Sequence, residues 1–108
     1  LVELNKKKRV LVVSSTDMLH DEDYDKVQVT DKRTLSLTEA MDTDSLIGDW
    51  SYQHQIYCGM KTVITAMLFA KKLGCNKADI LKHACSGDGK PQSQRDYNVG
   101  YGAVVMRI

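Results

Sequence analysis

Val10-Leu11-Val12-Val13-Ser14-Ser15-Thr16-Asp17-Met18-Leu19-His20 is the stretch on which the reading of the fold turns. Its first four residues are wholly apolar, and three of them are β-branched valines. They stand between the basic run Lys6 to Arg9 and a polar run that begins at Ser14. A short continuous apolar run of this kind predicts a strand at about residues 10–14, buried on both faces as in a parallel sheet flanked by helices. The basic run then reads as the solvated approach to that strand. It resembles a nuclear-import patch, but a few basic residues beside a strand carry little specificity.

Working outward, Asp21, Glu22, Asp23 and Asp25 surround Tyr24. Carboxylates complement the positive end of a helix dipole, so they predict a helix at about 24–41. Tyr24, Val27, Leu35 and Leu37 are imperfect apolar markers along it. The carboxylates lack the regular spacing of a calcium loop. Asp42 to Ser45 is a capping cluster that predicts a second helix at about 44–53, with Leu46, Ile47 and Trp50 at helical spacing. The strongest helical pattern covers about 59–74: Val63, Met67 and Ala70 form a stripe, Lys71 and Lys72 fall in the last turn, and Gly74 occupies the left-handed cap position. Residues 78–85 are ambiguous, helical by propensity but alternating in pattern. Ser86 to Pro91 is a loop, and residues 98–107 predict a strand containing Gly100 and Gly102. This order predicts an α/β architecture in one domain over 1–108.

The 108 residues are 43% hydrophobic and 27% charged, with a net charge of +1. That balance gives no electrostatic reason for nucleic acid or an anionic membrane as a partner. No apolar run approaches the roughly 20 residues that cross a bilayer, and no signal peptide is visible. A chain that starts at Leu1 reads as a piece of a longer protein. Cys58, Cys75 and Cys85 are odd in number and irregular in spacing, which argues against a disulfide framework and for a reducing, cytoplasmic location. Cys75 and Cys85 read as small buried hydrophobes. There is no phosphate-binding loop, nucleophile elbow or zinc-finger spacing.

Cys58 is different. It follows the polar stretch Gln53-His54-Gln55 closely and precedes the best helix, so it is expected at or near the first helical turn. Free backbone N–H groups and the helix dipole favour a thiolate there, the form that attacks electrophiles and binds metals. A second polar focus, Ser14 to His20, lies at the carboxyl end of the predicted strand, where open α/β sheets bind ligands. Asp17 and His20 offer a carboxylate and an imidazole for acid–base work or metal ligation, although capping and surface roles use the same residues. With Cys58 they would supply nucleophile, base and orienting group, or part of a zinc or iron site. His54 is a competing ligand candidate. Sequence separation does not show that Cys58 and His20 meet.

Several segments together resemble one family. Val12 to His20 resembles the V-x-S-S-D-x-x-H segment of the Memo-like family, also called AmmeMemoRadiSam system protein B, and Cys58-Gly59 resembles its C-G-x-x-P segment. Lys72-Leu73-Gly74-Cys75 with Ala78 to Asp88 resembles its L-G-A…A-E-L-L-x-Y-x-T-S-G-D, and Val99 to Val104 its V-G-Y-A-A-x. The order and spacing match the C-terminal part of that family's domain. Two positions depart: Thr16 is inserted before Asp17, and Lys61 or Thr62 stands where the family has proline, leaving the start of the helix less rigid.

The resemblance implies a three-layer α/β/α sandwich similar to the class III extradiol dioxygenases, and makes residues 79–86 a strand against their propensity. It implies Asp17, His20 and Cys58 as catalytic residues, with Cys58 and His20 as metal ligands beside two histidines of the N-terminal part that have no counterpart here. The metal would be iron, copper or zinc in the full-length protein, with none expected on this part alone. The implied activity is that of a metal- or redox-dependent oxidoreductase, and the implied partner is the missing N-terminal part. The alternative is a non-enzymatic module in which Ser14 to His20, Cys58 and Ser86 to Asp88 form a cleft for a peptide or small ligand. A third reading makes all of these residues caps and core.

Overall fold

A computed structural model describes residues 1–108. Helix α1 (Val2–Lys7) is followed by a long irregular stretch and the short strand β1 (His20–Asp21). Helix α2 (Tyr24–Glu39) begins where the acidic cluster predicts. Asp23 is its N-cap and accepts from the Asp25 and Lys26 N–H groups, while Asp21 pairs with Lys26 at 3.1 Å. The buried stripe of α2 is Val27, Asp31, Thr34, Leu35 and Thr38. Three of these five are polar, which is why the apolar periodicity of this segment is imperfect. The Thr38 hydroxyl donates to the Thr34 carbonyl and meets the Tyr57 hydroxyl at 2.8 Å, so its burial leaves no lost hydrogen bond. Just past the C-cap Ala40, Met41 takes φ 57° and puts its side chain in the core. A left-handed residue with a Cβ costs about 1–2 kcal/mol. Burying a methionine side chain returns about 1.5–3 kcal/mol.

Helix α3 (Thr43–Asp49) is capped by Asp42, which accepts from both the backbone and the hydroxyl of Ser45. It is shorter than the predicted 44–53. Trp50 turns extended and its indole N–H donates to the Tyr57 carbonyl, and Ser51 and His54 close a tight turn. Helix α4 (Met60–Lys72) buries Val63, Met67 and Ala70 as its pattern predicts, and Gly74 closes it at φ 90°. No helix is long and apolar enough to cross a membrane.

Strands β2 (Lys77–Cys85) and β3 (Asn98–Arg107) form an antiparallel pair from Lys77–Arg107 to Cys85–Gly100, with an irregularity between Ile80 and Lys82. Strand β1 lies on the other side of β3, in the order β1-β3-β2, pairing His20 with Val99 and Asp21 with Asn98. Cross-strand bonds make β2 extended despite its helical propensity. Asn98 is buried at the start of β3, and its amide donates to the carbonyls of Asp21, Glu22 and Arg95.

The strand predicted at 10–14 is absent, and the sheet is antiparallel rather than parallel. Residues 8–19 carry no regular secondary structure. Leu11 and Val13, expected to be buried, are 88% and 79% exposed. The basic run belongs partly to α1, whose last turn holds Lys6 and Lys7. A strand exists only where a neighbour completes its hydrogen-bond ladder, and β1 meets β3 only at its first residues. Beyond the bonds between Gly100 and the Met18–Leu19 backbone, this side of β3 has no strand beside it.

The α/β class holds. One core cluster joins Met18, Leu35, Leu46, Ile56, Met60, Val63, Met67 and Ala78, with Val104 and Met106 of β3 packed against it. On β3, Tyr101 and Val105 alternate with these inward residues and are about half exposed. The chain therefore supplies the helices on one face of the sheet and leaves the other face open, two of the layers that the resemblance implied.

Candidate functional site

The residues flanking Cys58 decide what its thiol meets. The N-cap of α4 is Gly59, so Cys58 sits just outside the helix, not in its first turn. The Gly59 N–H donates to Thr16 Oγ1 at 2.8 Å, and the Thr62 and Val63 N–H groups turn back to the Gly59 carbonyl. The Gly59 and Thr62 N–H groups are thus engaged, while those of Met60 and Lys61 have no hydrogen-bond partner within the chain and remain the free donors of the helix start. The Cys58 N–H donates to the Asp17 carbonyl at 3.2 Å. Two backbone donors thereby tie the start of α4 to the irregular stretch before β1.

This tie brings the side chains of Asp17, His20 and Cys58 together. Cys58 Sγ donates to Asp17 Oδ1 at 2.6 Å, and His20 Nε2 lies 3.1 Å from Asp17 Oδ2. Thr16 Oγ1 is 3.4 Å from the sulfur. The hydrogen bond from Cys58 holds the Asp17 carboxyl below its ordinary range; partial burial opposes this, and His20 assists it. Asp17 and His20 are both about one-third exposed and Cys58 is exposed, so the trio opens to solvent. The carboxylate stands between thiol and imidazole. A nucleophile–base–orienter order would put the imidazole in the middle. Here the group within reach of the thiol proton is Asp17. The His20 ring also packs edge-on against Tyr97, with centroids 6.0 Å apart.

Thr16 falls within the Ser14–His20 focus, but sequence reasoning gave it no role of its own beside Cys58. It read as an insertion before Asp17, yet its hydroxyl caps Gly59 and touches the sulfur. A hydroxyl residue close in space to a helix start is the available signal, but nothing local says which helix it will cap. Thr62, one of the two residues that stand where the family segment has proline, donates to the Gly59 carbonyl at 2.7 Å and accepts from Ser14 at 3.1 Å. Hydrogen bonds secure this turn in place of a ring. Gly59 is favoured by close approach, since a Cβ there would meet the Thr16 and Thr62 hydroxyls at about 3.0 Å.

The other candidates do not join the trio. His54 lies in the Ser51–His54 turn, where its charge is felt by Asp21 and Asp49. Ser86 pairs with Val99 across β3 from His20, and Asp88 accepts from the Tyr24 hydroxyl, Gln28 and the Cys85 N–H. The expected cleft joining Ser86–Asp88 to Cys58 is therefore divided by β3. Cys75 and Cys85 contact the core, as read from the sequence. No three His, Cys, Asp or Glu side chains are arranged to hold a metal ion. Both Asp17 oxygens are engaged within the trio. Beside the trio lies an apolar cleft of about 490 Å³ between Val10–Ser14, α4 and β3, with Thr16 among its lining residues.

The chain matches the Memo-like protein family over residues 1–105. It is 34% identical over 103 residues to a MEMO1 family protein of Desulfurococcus amylolyticus, covering 94% of this chain and 35% of that protein. A MEMO1 family protein of Methanopyrus kandleri is 29% identical over 102 residues, covering 93% and 35%. One of Sulfolobus acidocaldarius is 33% identical over 82 residues, covering 76% and 28%. The chain thus spans about a third of the length of the curated relatives it matches. No solved structure gives a significant match. With the match running through almost every residue, the chain belongs to the Memo-like protein family.

Proposed function

We propose that this chain carries the thiol part of a metal- or redox-dependent oxidoreductase site, on a fold related to the class III extradiol dioxygenases. The observation that supports the reading is the 2.6 Å contact between Cys58 Sγ and Asp17 Oδ1. A carboxylate at that distance orients the thiol proton, and the thiolate left when that proton moves on is the nucleophilic and metal-ligating form. His20, on the other carboxylate oxygen, is placed to share the proton. Thr16 restrains both the sulfur and the turn behind it.

A bound iron, copper or zinc would need donors beyond this chain, whose own residues do not close a metal site. The partner in this reading is the N-terminal remainder of a longer Memo-like protein. The cleft beside Val10–Ser14, with Leu11 and Val13 exposed, offers that remainder an apolar place to dock. The test is metal analysis of the full-length protein, wild type and Cys58→Ser. The wild type should hold metal stoichiometrically, and the variant should lose at least about tenfold in affinity, since losing even a group that only supports a ligand costs about 10–100-fold. Equal content in both removes the ligand role.

The cleft itself favours a second reading, a non-enzymatic module for a peptide or small ligand. Its volume of about 490 Å³ and apolar lining fall in the range of small-molecule sites. Alkylation of Cys58 in the full-length protein with an ordinary thiol pKa, near 8.5, together with metal content independent of Cys58, would favour this module over the oxidoreductase.

A further inference from the structure

Asp31 is the one charged side chain in the buried set, at 0% exposure. It projects from α2 onto β3 at Gly100, where a Cβ would overlap its carboxylate. Its Oδ2 lies 2.7 Å from His83 Nε2 on β2, and its Oδ1 accepts from the Leu19 N–H at 3.4 Å. Leu19 sits between Asp17 and His20. Its carbonyl accepts from the Gly100 N–H at 2.9 Å, and the Met18 N–H donates to the Gly100 carbonyl at 2.8 Å. One carboxylate therefore joins α2, β2 and the segment that carries Asp17 and His20. His83 is about one-quarter exposed, which lets protons exchange with solvent.

A buried carboxylate is tolerated when a cation faces it or when it keeps its own proton. An Asp–His pair meets either condition with one shared proton and no net charge, and losing that proton leaves a net negative charge under α2. Burial pushes the Asp31 carboxyl up, and His83 opposes that shift. Other groups face the pair from each side. Lys32 and Glu39 of α2 line the groove over His83 together with Gln28 and Ser36. Asp88, in the turn after β2, feels His83, and the Tyr57 hydroxyl feels Asp31. Cys85 lies one inward position further along β2. From β3 the pair meets glycines, Gly100 and Gly102, which bring no counter-charge.

We propose that Asp31 and His83 form a proton-linked clamp on the Met18–His20 segment, closed while the pair holds its shared proton and loosened when that proton leaves. Both are positioning residues: they act through Leu19 and touch none of the reactive atoms of the trio. The proposal does not depend on what Cys58 does.

The test is amide hydrogen exchange on the 108-residue chain, followed by NMR and corrected for intrinsic rates. Leu19 and Gly100 report the clamp, and Met67 in the α4 core is the internal reference. Between about pH 5 and about pH 8.5, protection of Leu19 and Gly100 relative to Met67 should fall by about tenfold. The midpoint should coincide with the titration of the His83 ring nitrogens. His83→Gln, which keeps an N–H donor but does not titrate, and Asp31→Asn should each abolish the pH dependence. A flat wild-type ratio, or a midpoint that differs from that of His83, overturns the proposal even if a variant fails to fold. An unchanged slope in the folded variants overturns it as well.

Discussion

Cys58 gives its thiol hydrogen bond to Asp17, not to His20, and the same carboxylate faces His20 through its other oxygen. The trio is centred on a carboxylate, so Asp17 should report changes at either neighbour.

Asp17 should titrate below the ordinary carboxylate value of 3.8, with the Cys58 hydrogen bond as the largest cause. A depressed carboxylate contributes stability that is present above the unfolded value. That contribution is lost as pH falls from about 3.8 through the folded value. Cys58→Ala should move the midpoint back toward 3.8, and so should His20→Ala. Carbon-13 NMR of the Asp17 carboxyl checks both, and an unmoved midpoint in Cys58→Ala would show that the thiol does not set it.

Thr16→Val should destabilise the chain by about 1 kcal/mol, the usual cost of losing a side-chain helix cap. The valine keeps the shape but cannot accept from the Gly59 N–H. Thr16→Ser should retain most of the stability. Urea denaturation of the three proteins decides, and equal stability of Thr16→Val and wild type would mean that water replaces the cap.

Two glycine substitutions should have opposite signs. Gly100→Ala places a methyl group in the space of the Asp31 carboxylate and should cost about 2–3 kcal/mol or prevent folding. Gly48→Ala, within α3 and with nothing in contact range, should stabilise by about 0.5–1 kcal/mol. Thermal melts of both variants against wild type provide the comparison. A neutral Gly100→Ala would show that α2 can lift away from β3 freely.

The double substitution Leu11→Ser, Val13→Ser should leave the stability of the 108-residue chain within about 0.5 kcal/mol of wild type, as surface changes do. Both side chains are exposed. A loss of about 2 kcal/mol or more in urea would place them in a core, as the apolar run by itself suggests.

The helices at 24–41 and 59–74 were legible because their signals are local. Asp23 caps its own helix, the Val63–Met67–Ala70 stripe repeats at helical spacing, and Gly74 ends the helix with its own φ. Residues 77–85 were less legible, because alternation and propensity disagreed, and it was the family resemblance that made them a strand. Val10 to Val13 misled because apolar, β-branched composition describes a willingness to pair and cannot supply the neighbour.

The sequence by itself determined the α/β class, the long helices and the identity of Asp17, His20 and Cys58 as the polar residues to watch. Only the tertiary structure decided their order in space, because Cys58 is 41 residues from Asp17 and meets it through the docking of α4 on the stretch before β1. It also decided that Thr16 caps that docking and that Asp31 finds His83, contacts spanning 43 and 52 residues. Local rules act over a helical turn or a strand pleat. Contacts across such separations follow from which faces bury each other, and that is settled only when the whole chain folds.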